Sequence, residues 1–190
     1  MIVTTTERLT LRNWEEKDRD LFHEINSDPV VMEFFPFQRS RAQSDELFDL
    51  LRGIIDETGF GFYALAARET DAAIGFCGLS RTTARLEPHM PAGTVEIGWR
   101  LARRHWGHGY VTEAAQRLLA LGFTEKGLDE IVSFAVAGNA RSIAVMRRIG
   151  MVAAPDRDFD VPGIDEAHAG LRPHVVYAID RTRWRAMEGA

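Results

Sequence analysis

Two glycines one residue apart, Gly107 and Gly109, stand between an apolar run, TVEIGWRLA (94–102), and a helical pattern, YVTEAAQRLLALGF (110–123). The run reads as a strand. The pattern puts Val111, Ala114, Ala115, Leu118, Leu119 and Gly122 on one helical face. The chain must therefore pass from strand to helix through RRHWGHGY (103–110). Glycine admits φ > 0 and lets the backbone approach a bulky group closely. The first N–H groups of a helix lack internal partners, and the helix dipole favours negative charge there. Such a junction is either a plain turn or a backbone cradle for an anion.

Three phosphate-binding patterns compete with the plain turn. A dinucleotide fingerprint needs a third glycine where this chain has Thr112, and no regular parallel βαβ series surrounds it. A P-loop needs Gly-Lys-Ser/Thr, and here Tyr110-Val111-Thr112 follows the second glycine. The pattern Gln/Arg-x-x-Gly-x-Gly/Ala fits Arg104 to Gly109 without a gap. On this hexapeptide alone, the ligand-free turn stays open.

The rest of the chain supplies the surroundings. Residues 4–12, TTTERLTLR, alternate in part and read as a first strand. EEKDRDLFHEINS (15–27) carries Leu21, Phe22 and Ile25 at helical spacing. Asp28-Pro29 predicts the start of a short helix, VVMEFF (30–35), which Pro36 ends. Leu47, Leu50, Leu51, Ile54 and Ile55 form one stripe, so a third helix is expected over 40–57. GFGFYALAAR (59–68) and AAIGFCGLS (72–80) predict a hairpin across Glu69-Thr70-Asp71. Residues 81–93 read as a loop. Beyond the glycine junction and its helix come a strand (129–137), a helix (140–150) closed by Gly150, a short strand (151–159), a loop (160–173) and a last strand with its exit (174–184). The order predicts a mixed α/β domain.

With 190 residues, 45% of them hydrophobic, the chain suits one globular domain over 1–190. A net charge of −5 disfavours general nucleic-acid binding. No apolar run approaches the roughly 20 residues that span a membrane. The N-terminus lacks the basic start and apolar centre of a signal peptide, so no membrane partner and a cytoplasmic location are expected. The single cysteine, Cys77, lies in an apolar run and reads as a buried, inert thiol. His105 and His108 read as surface or phosphate-adjacent groups. His89, His168 and His174 read as ordinary loop histidines without ligand-like spacing, so no metal is expected.

The stretch RRHWGHGYVTEAA resembles motif A of the GNAT acyltransferase superfamily, in particular the WGxGYATEA form of its Rim-type (RimJ/RimL-like) branch. Known members of that branch acetylate N-terminal amines of ribosomal proteins. Three further segments agree in order: ERLTLR (7–12), NSDPVVMEFF (26–35), and Asn139 with Ser142 followed by Gly150-Met151. The resemblance runs from about residue 5 to 182. It implies the GNAT fold: a central, mostly antiparallel twisted sheet, flanked by helices and splayed between its fourth and fifth strands (94–102 and 129–137). It also implies acetyl-CoA as cosubstrate. Backbone amides of Gly107, His108, Gly109, Tyr110, Val111 and Thr112 would cradle the pyrophosphate, with Arg104 beside it. The strand through Trp99 and Leu101 would pair with the pantetheine arm. Asn139 and Ser142 would lie near the pantetheine and sulfur. Phe34 and Phe35, with Phe37, stand where this fold lines the acceptor pocket, although at least two of the three are expected in the core.

The implied chemistry is direct attack of a neutral primary amine on the thioester, which needs a base. Glu96, an isolated acid in VEIGW, is the candidate; the alternative is a carboxylate paired with arginine or solvated. Backbone N–H groups would polarise the thioester carbonyl. The tyrosine that many family members place seven residues after the asparagine is Met146 here, which leaves Ser142 as the nearest substitute acid. The acceptor is a peptide N-terminus or a small amine, and monomer and homodimer are both open. A CoA-binding sensor or structural module without turnover is the alternative function, and nucleotide binding at the same turn is a third.

Overall fold

The first strand breaks in two because Thr6 closes a turn. In the computed structural model, which describes residues 1–83, 86 and 90–189, Thr6 and Leu9 bond each other through Thr6 N to Leu9 O (2.9 Å) and Leu9 N to Thr6 Oγ1 (3.0 Å). The result is an antiparallel hairpin of β1 (Ile2–Thr5) and β2 (Leu9–Arg12), in place of the single strand expected over 4–12. Helix α1 (Arg19–Ser27) follows and buries Leu21, Phe22 and Ile25. The helix expected at VVMEFF does not form, and residues 29–35 are turns. Asp28 Oδ1 accepts from Val30 N and Val31 N (2.7 and 3.1 Å), and the two β-branched valines disfavour continuation before Pro36.

Helix α2 (Arg41–Thr58) starts with a Ser40–Gln43 capping box and ends at Gly59, whose φ is 68°. Its buried face is Ser44, Phe48 and Ile55. Of the predicted stripe, Ile55 lies on this face and Leu47 and Leu51 are partly buried, whereas Leu50 and Ile54 are 58% and 36% exposed. Four strands and two helices follow in the order β3 (Gly61–Ala67), β4 (Ala73–Arg81), β5 (Val95–Leu101), α3 (Tyr110–Thr124), β6 (Glu130–Val136) and α4 (Ala140–Arg148). The remainder is β7 (Val152–Ala153), β8 (Phe159–Asp160), β9 (Pro173–Asp180) and α5 (Arg181–Glu188). The strand order is β1-β2-β3-β4-β5-β6-β9-β7, with β8 on β9. The sheet is mostly antiparallel with one parallel pair, β5 with β6, where Glu96 stands opposite Val132. This is the mixed α/β fold expected from the element order.

The exit of the last strand is a helix instead of an extended tail. Asp180 Oδ1 caps α5 by accepting from Arg183 N (2.7 Å), as aspartate does at a helix start. The expected short strand at 151–159 becomes two two-residue pieces, β7 and β8, each paired with β9. Within the expected loop 81–93, His89 and residues 84, 85, 87 and 88 lie outside the described residues. Among the described residues, no helix is long and apolar enough to cross a membrane.

The chain divides into two compact units. The first, Met1–Leu79 with Gly98–Arg117, is centred on Trp14, Phe22 and Phe48, whose ring centroids lie 4.9–5.6 Å apart. Its buried charge is Arg12, which binds Asp18 through Nη1 (2.7 Å) and Nη2 (3.1 Å) and also Asp71 (3.1 Å). Cys77 is buried, which pushes its thiol pKa up and leaves it inert. The second unit, Ser80–Ile97 with Leu118–Ala190, packs Met90, Val132, Phe159, Val176 and Ala178 together.

Removing one partner of a buried ion pair leaves the other charge uncompensated. Arg12→Leu should lower the urea-denaturation free energy by about 3–5 kcal/mol. Arg12→Leu with Asp18→Leu should recover part of that loss.

Candidate functional site

The junction between β5 and α3 belongs to the first unit. After Leu101 a 3-10 turn (Arg103–His105) leads to Gly107 and Gly109, with φ of 81° and 79°. Both glycines are therefore required by the backbone and not only tolerated. A Cβ at Gly107 would meet nothing within 4 Å, so the face of the turn is open. Trp106 Nε1 donates to Leu101 O (2.9 Å), which ties the turn to the end of the strand. Leu101 is buried, so its side chain is packing and its carbonyl is already engaged. Helix α3 then starts at Tyr110, and the N-terminal end of a helix favours an anion. Open left-handed glycines joined to a helix start fit the pyrophosphate of a CoA thioester.

Two residues that the sequence pattern did not single out brace this turn. Arg8 Nη1 donates to His108 O (3.0 Å), and its guanidinium lies 4.7 Å from the Tyr110 ring centroid. Arg8 also holds Glu113, through Nε (2.6 Å) and its backbone N (3.0 Å). Burial raises the Glu113 pKa, but bonds from Thr6 and Arg8 outweigh it and hold the carboxyl below its usual range. The His108 ring stacks on Tyr110 at 5.6 Å. The signal was present as ERL and TEA, the two segments quoted for the family resemblance. Arg104, expected beside the pyrophosphate, is exposed and bonded to Glu24. Burial and the charges of Arg104 and His108 lower the His105 pKa.

In the first unit, the three phenylalanines after α1 are not core. Phe35 and Phe37 are 41% and 46% exposed, and their rings lie 6.2 Å apart. The turn at 29–35 replaces a helix that would have carried an inward face, so these rings stay at the surface. Phe34 is partly buried and Trp99 likewise.

The second unit holds the remaining candidates. Glu96 is partly buried on β5 and has no hydrogen bond or ion pair among the described residues. It is thus neither arginine-paired nor freely solvated. Burial raises its pKa to about 7. Asn139 caps α4 by accepting from Ser142 N (3.1 Å), so the two expected residues are brought together. The Ser142 hydroxyl makes no hydrogen bond among the described residues. Met146 is buried in the same helix. His174 is not a loop histidine: it lies in β9 opposite Val136, stacks on Phe159 at 5.5 Å, and burial lowers its pKa. His168 stays in the loop, bonded to Asp165 (2.7 Å).

Comparison with known proteins agrees with this geometry. The sequence model of the acetyltransferase (GNAT) domain family matches residues 8–152. The uncharacterized N-acetyltransferase p20 of Bacillus licheniformis is 32% identical over 76% of this chain and 79% of its own length. An FsC-acetyl coenzyme A-N(2)-transacetylase of Aspergillus fumigatus is 26% identical over 96% of this chain and 78% of its own. The crystal structure of a GNAT-family acetyltransferase from Bacillus anthracis superposes with a TM-score of 0.76 at 25% identity, covering 95% of this chain and 98% of that one.

A carboxyl whose folded pKa lies above its unfolded value stabilises the fold below the unfolded pKa, and that stability is lost as pH rises through the folded pKa. For Glu96 the window runs from 4.5 to about 7. Glu96→Gln should therefore match the parent at pH 4.5 and exceed it by about 1–3 kcal/mol at pH 8 in chemical denaturation. Equal stability at pH 8 would show that Glu96 is solvated in the folded chain.

Proposed function

The chain belongs to the GNAT acetyltransferase family, and on that premise we propose that it transfers the acetyl group of acetyl-CoA to a primary amine by direct attack. The observation that carries the donor is the pair of left-handed glycines before α3, of which Gly107 has open space at its Cβ position. The name of the Aspergillus relative, with acetyl coenzyme A as donor and a nitrogen as acceptor, supports the same reading. The family match crosses both compact units, which supports treating 1–190 as a single working domain.

In this reading, backbone N–H groups from Gly107 to Thr112 hold the pyrophosphate, and Arg8 keeps the turn in shape through His108 and Glu113. Arg104 can leave Glu24 for a phosphate, since both partners of that pair are exposed. Trp99 belongs to the strand that pairs with the pantetheine arm, and Asn139 with Ser142 lies at its sulfur end. The bound donor supplies an activated acetyl thioester. Glu96 takes the proton of the attacking ammonium, a task suited to a carboxylate with pKa near working pH. Ser142 stands in as proton donor at the place where Met146 has replaced the usual tyrosine. Phe34 and Phe35 line the acceptor side. The GYVTEA and ERLTLR segments support descent from the Rim-type branch, which leaves the acceptor as a protein N-terminus or a small amine.

Thiol release from acetyl-CoA over a panel of amines tests the reading. Gly109→Val should lose CoA binding, seen as loss of CoA protection against thermal unfolding, while the circular dichroism spectrum is kept. Persistent CoA protection would remove the cradle assignment. In the parent, kcat/KM should rise with pH up to about 7 and then level. Glu96→Gln should lose that limb and about 100-fold or more of the rate, whereas an unchanged profile would remove Glu96 as base.

A further inference from the structure

In the first unit Arg8, Arg12, Arg19, Arg41, Arg52 and Arg104 each hold a carboxylate. Arg39, Arg68, Arg100 and Arg103 have no carboxylate partner among the described residues; Arg68 and Arg103 are exposed, whereas Arg39 and Arg100 are partly buried. Arg100 is the more confined of the two. Its guanidinium lies 4.4 Å from the Phe35 ring centroid and 5.4 Å from that of Phe76. Its Nη1 donates to Asn26 Oδ1 at 2.5 Å. Asn26 is itself fully buried, with its amide nitrogen fixed on Phe22 O (2.7 Å). Arg39 stacks over Phe37 at 4.9 Å, in the same exposed aromatic turn.

A guanidinium offers five N–H donors in a rigid fork that matches a carboxylate. Here one neutral amide takes one of them. Among the described residues no fully buried side-chain nitrogen lacks a partner, so the remaining N–H groups of Arg100 face accessible space. Two rings and Asn26 fix the fork in place, and Arg39 adds positive charge nearby. A confined cation without a counter-charge is unfavourable until an anion arrives. In line with this, burial and the charge of Arg39 lower the Arg100 pKa to about 10.

We propose that Arg100, supported by Arg39, Asn26 and the Phe35 ring, is the subsite for a carboxylate of the acceptor. The acceptor is then an amine that also carries an acid group: an amino acid, or a peptide with a free or side-chain carboxylate. The proposal rests on the acetyl-transfer reading and selects among its acceptors. Polyamines, which are wholly cationic, are excluded by two unpaired arginines at this position.

Matched acceptors test it: amino acids and dipeptides with a free carboxylate, their amides, and spermidine, each with acetyl-CoA. The parent should favour each carboxylate over its amide by about tenfold or more in kcat/KM, as expected for a bidentate charge-assisted pair, and spermidine should be inert. Arg100→Gln should bring the ratio within about twofold, and Arg100→Lys should keep part of it. Both variants should keep the parental CoA affinity. A ratio near one in the parent, or a ratio unchanged in Arg100→Gln, overturns the proposal. So does a tenfold fall in CoA affinity, which would assign Arg100 to a phosphate of the donor. Calorimetric titration of the same carboxylates and amides reads the subsite without turnover, and equal or absent binding of the two sets also overturns it. Absence of CoA binding in the parent would instead defeat the acetyl-CoA reading, and the titration would still decide the subsite.

Discussion

The strand-to-helix junction of the first unit depends on a backbone constraint that side chains cannot supply. Gly107 and Gly109 both sit near φ +80°, where an L-residue costs about 1–2 kcal/mol. With a non-glycine residue between them, the chain makes two left-handed steps and enters α3. Nothing within 4 Å of a Cβ at Gly107 explains the glycine by crowding. The conformation itself is the reason. In the proposed function this turn and the helix start cradle the pyrophosphate of the donor. Arg8, through His108 O and Glu113, and Trp106, through Leu101 O, brace the turn.

Charges in this protein divide by whether they are answered. Arg12 is buried and meets Asp18 and Asp71, which makes it a structural pair. Glu113 is held low by Thr6 and Arg8, which makes it a brace. Glu96 and Arg100 are confined on one strand, β5, without an opposite charge among the described residues. Folding gains nothing from an unpaired ionisable group in a desolvated position, whose pKa shifts toward neutrality. That is the physical ground for reading these two as parts of the chemistry and Arg12 as part of the scaffold.

The sequence showed the junction, the fold class and most elements, because those rest on local rules: period, turn residues and capping. What it hid depends on tertiary phase and side-chain competition. Asp28 spends its carboxylate on Val30 N and Val31 N, which turns an apparent helix start into a tight turn and leaves Phe35 and Phe37 outside. Leu50 and Ile54 have helical spacing, but the buried face is set by Ser44, Phe48 and Ile55, out of phase with them. Arg8 takes its bracing role from Glu113, over a hundred residues away in the sequence. Glu96 stood out as an isolated acid, but a single sequence cannot say whether an arginine answers it.

Met146 shows where the proposed reaction places its demands. A buried methionine, at the position where the family resemblance implies a tyrosine, offers no phenolic proton donor. Burial raises the Tyr63 pKa to about 12, and its hydroxyl donates to Gly59 O, so it is a poor acid. A thiol has an ordinary pKa near 8.5, so its thiolate departs without strong acid assistance. An ammonium must lose its proton before it can attack at all. The proposed reaction therefore tolerates the lack of an acid more readily than the lack of a base, and burial holds the proposed base, Glu96, at a pKa of about 7.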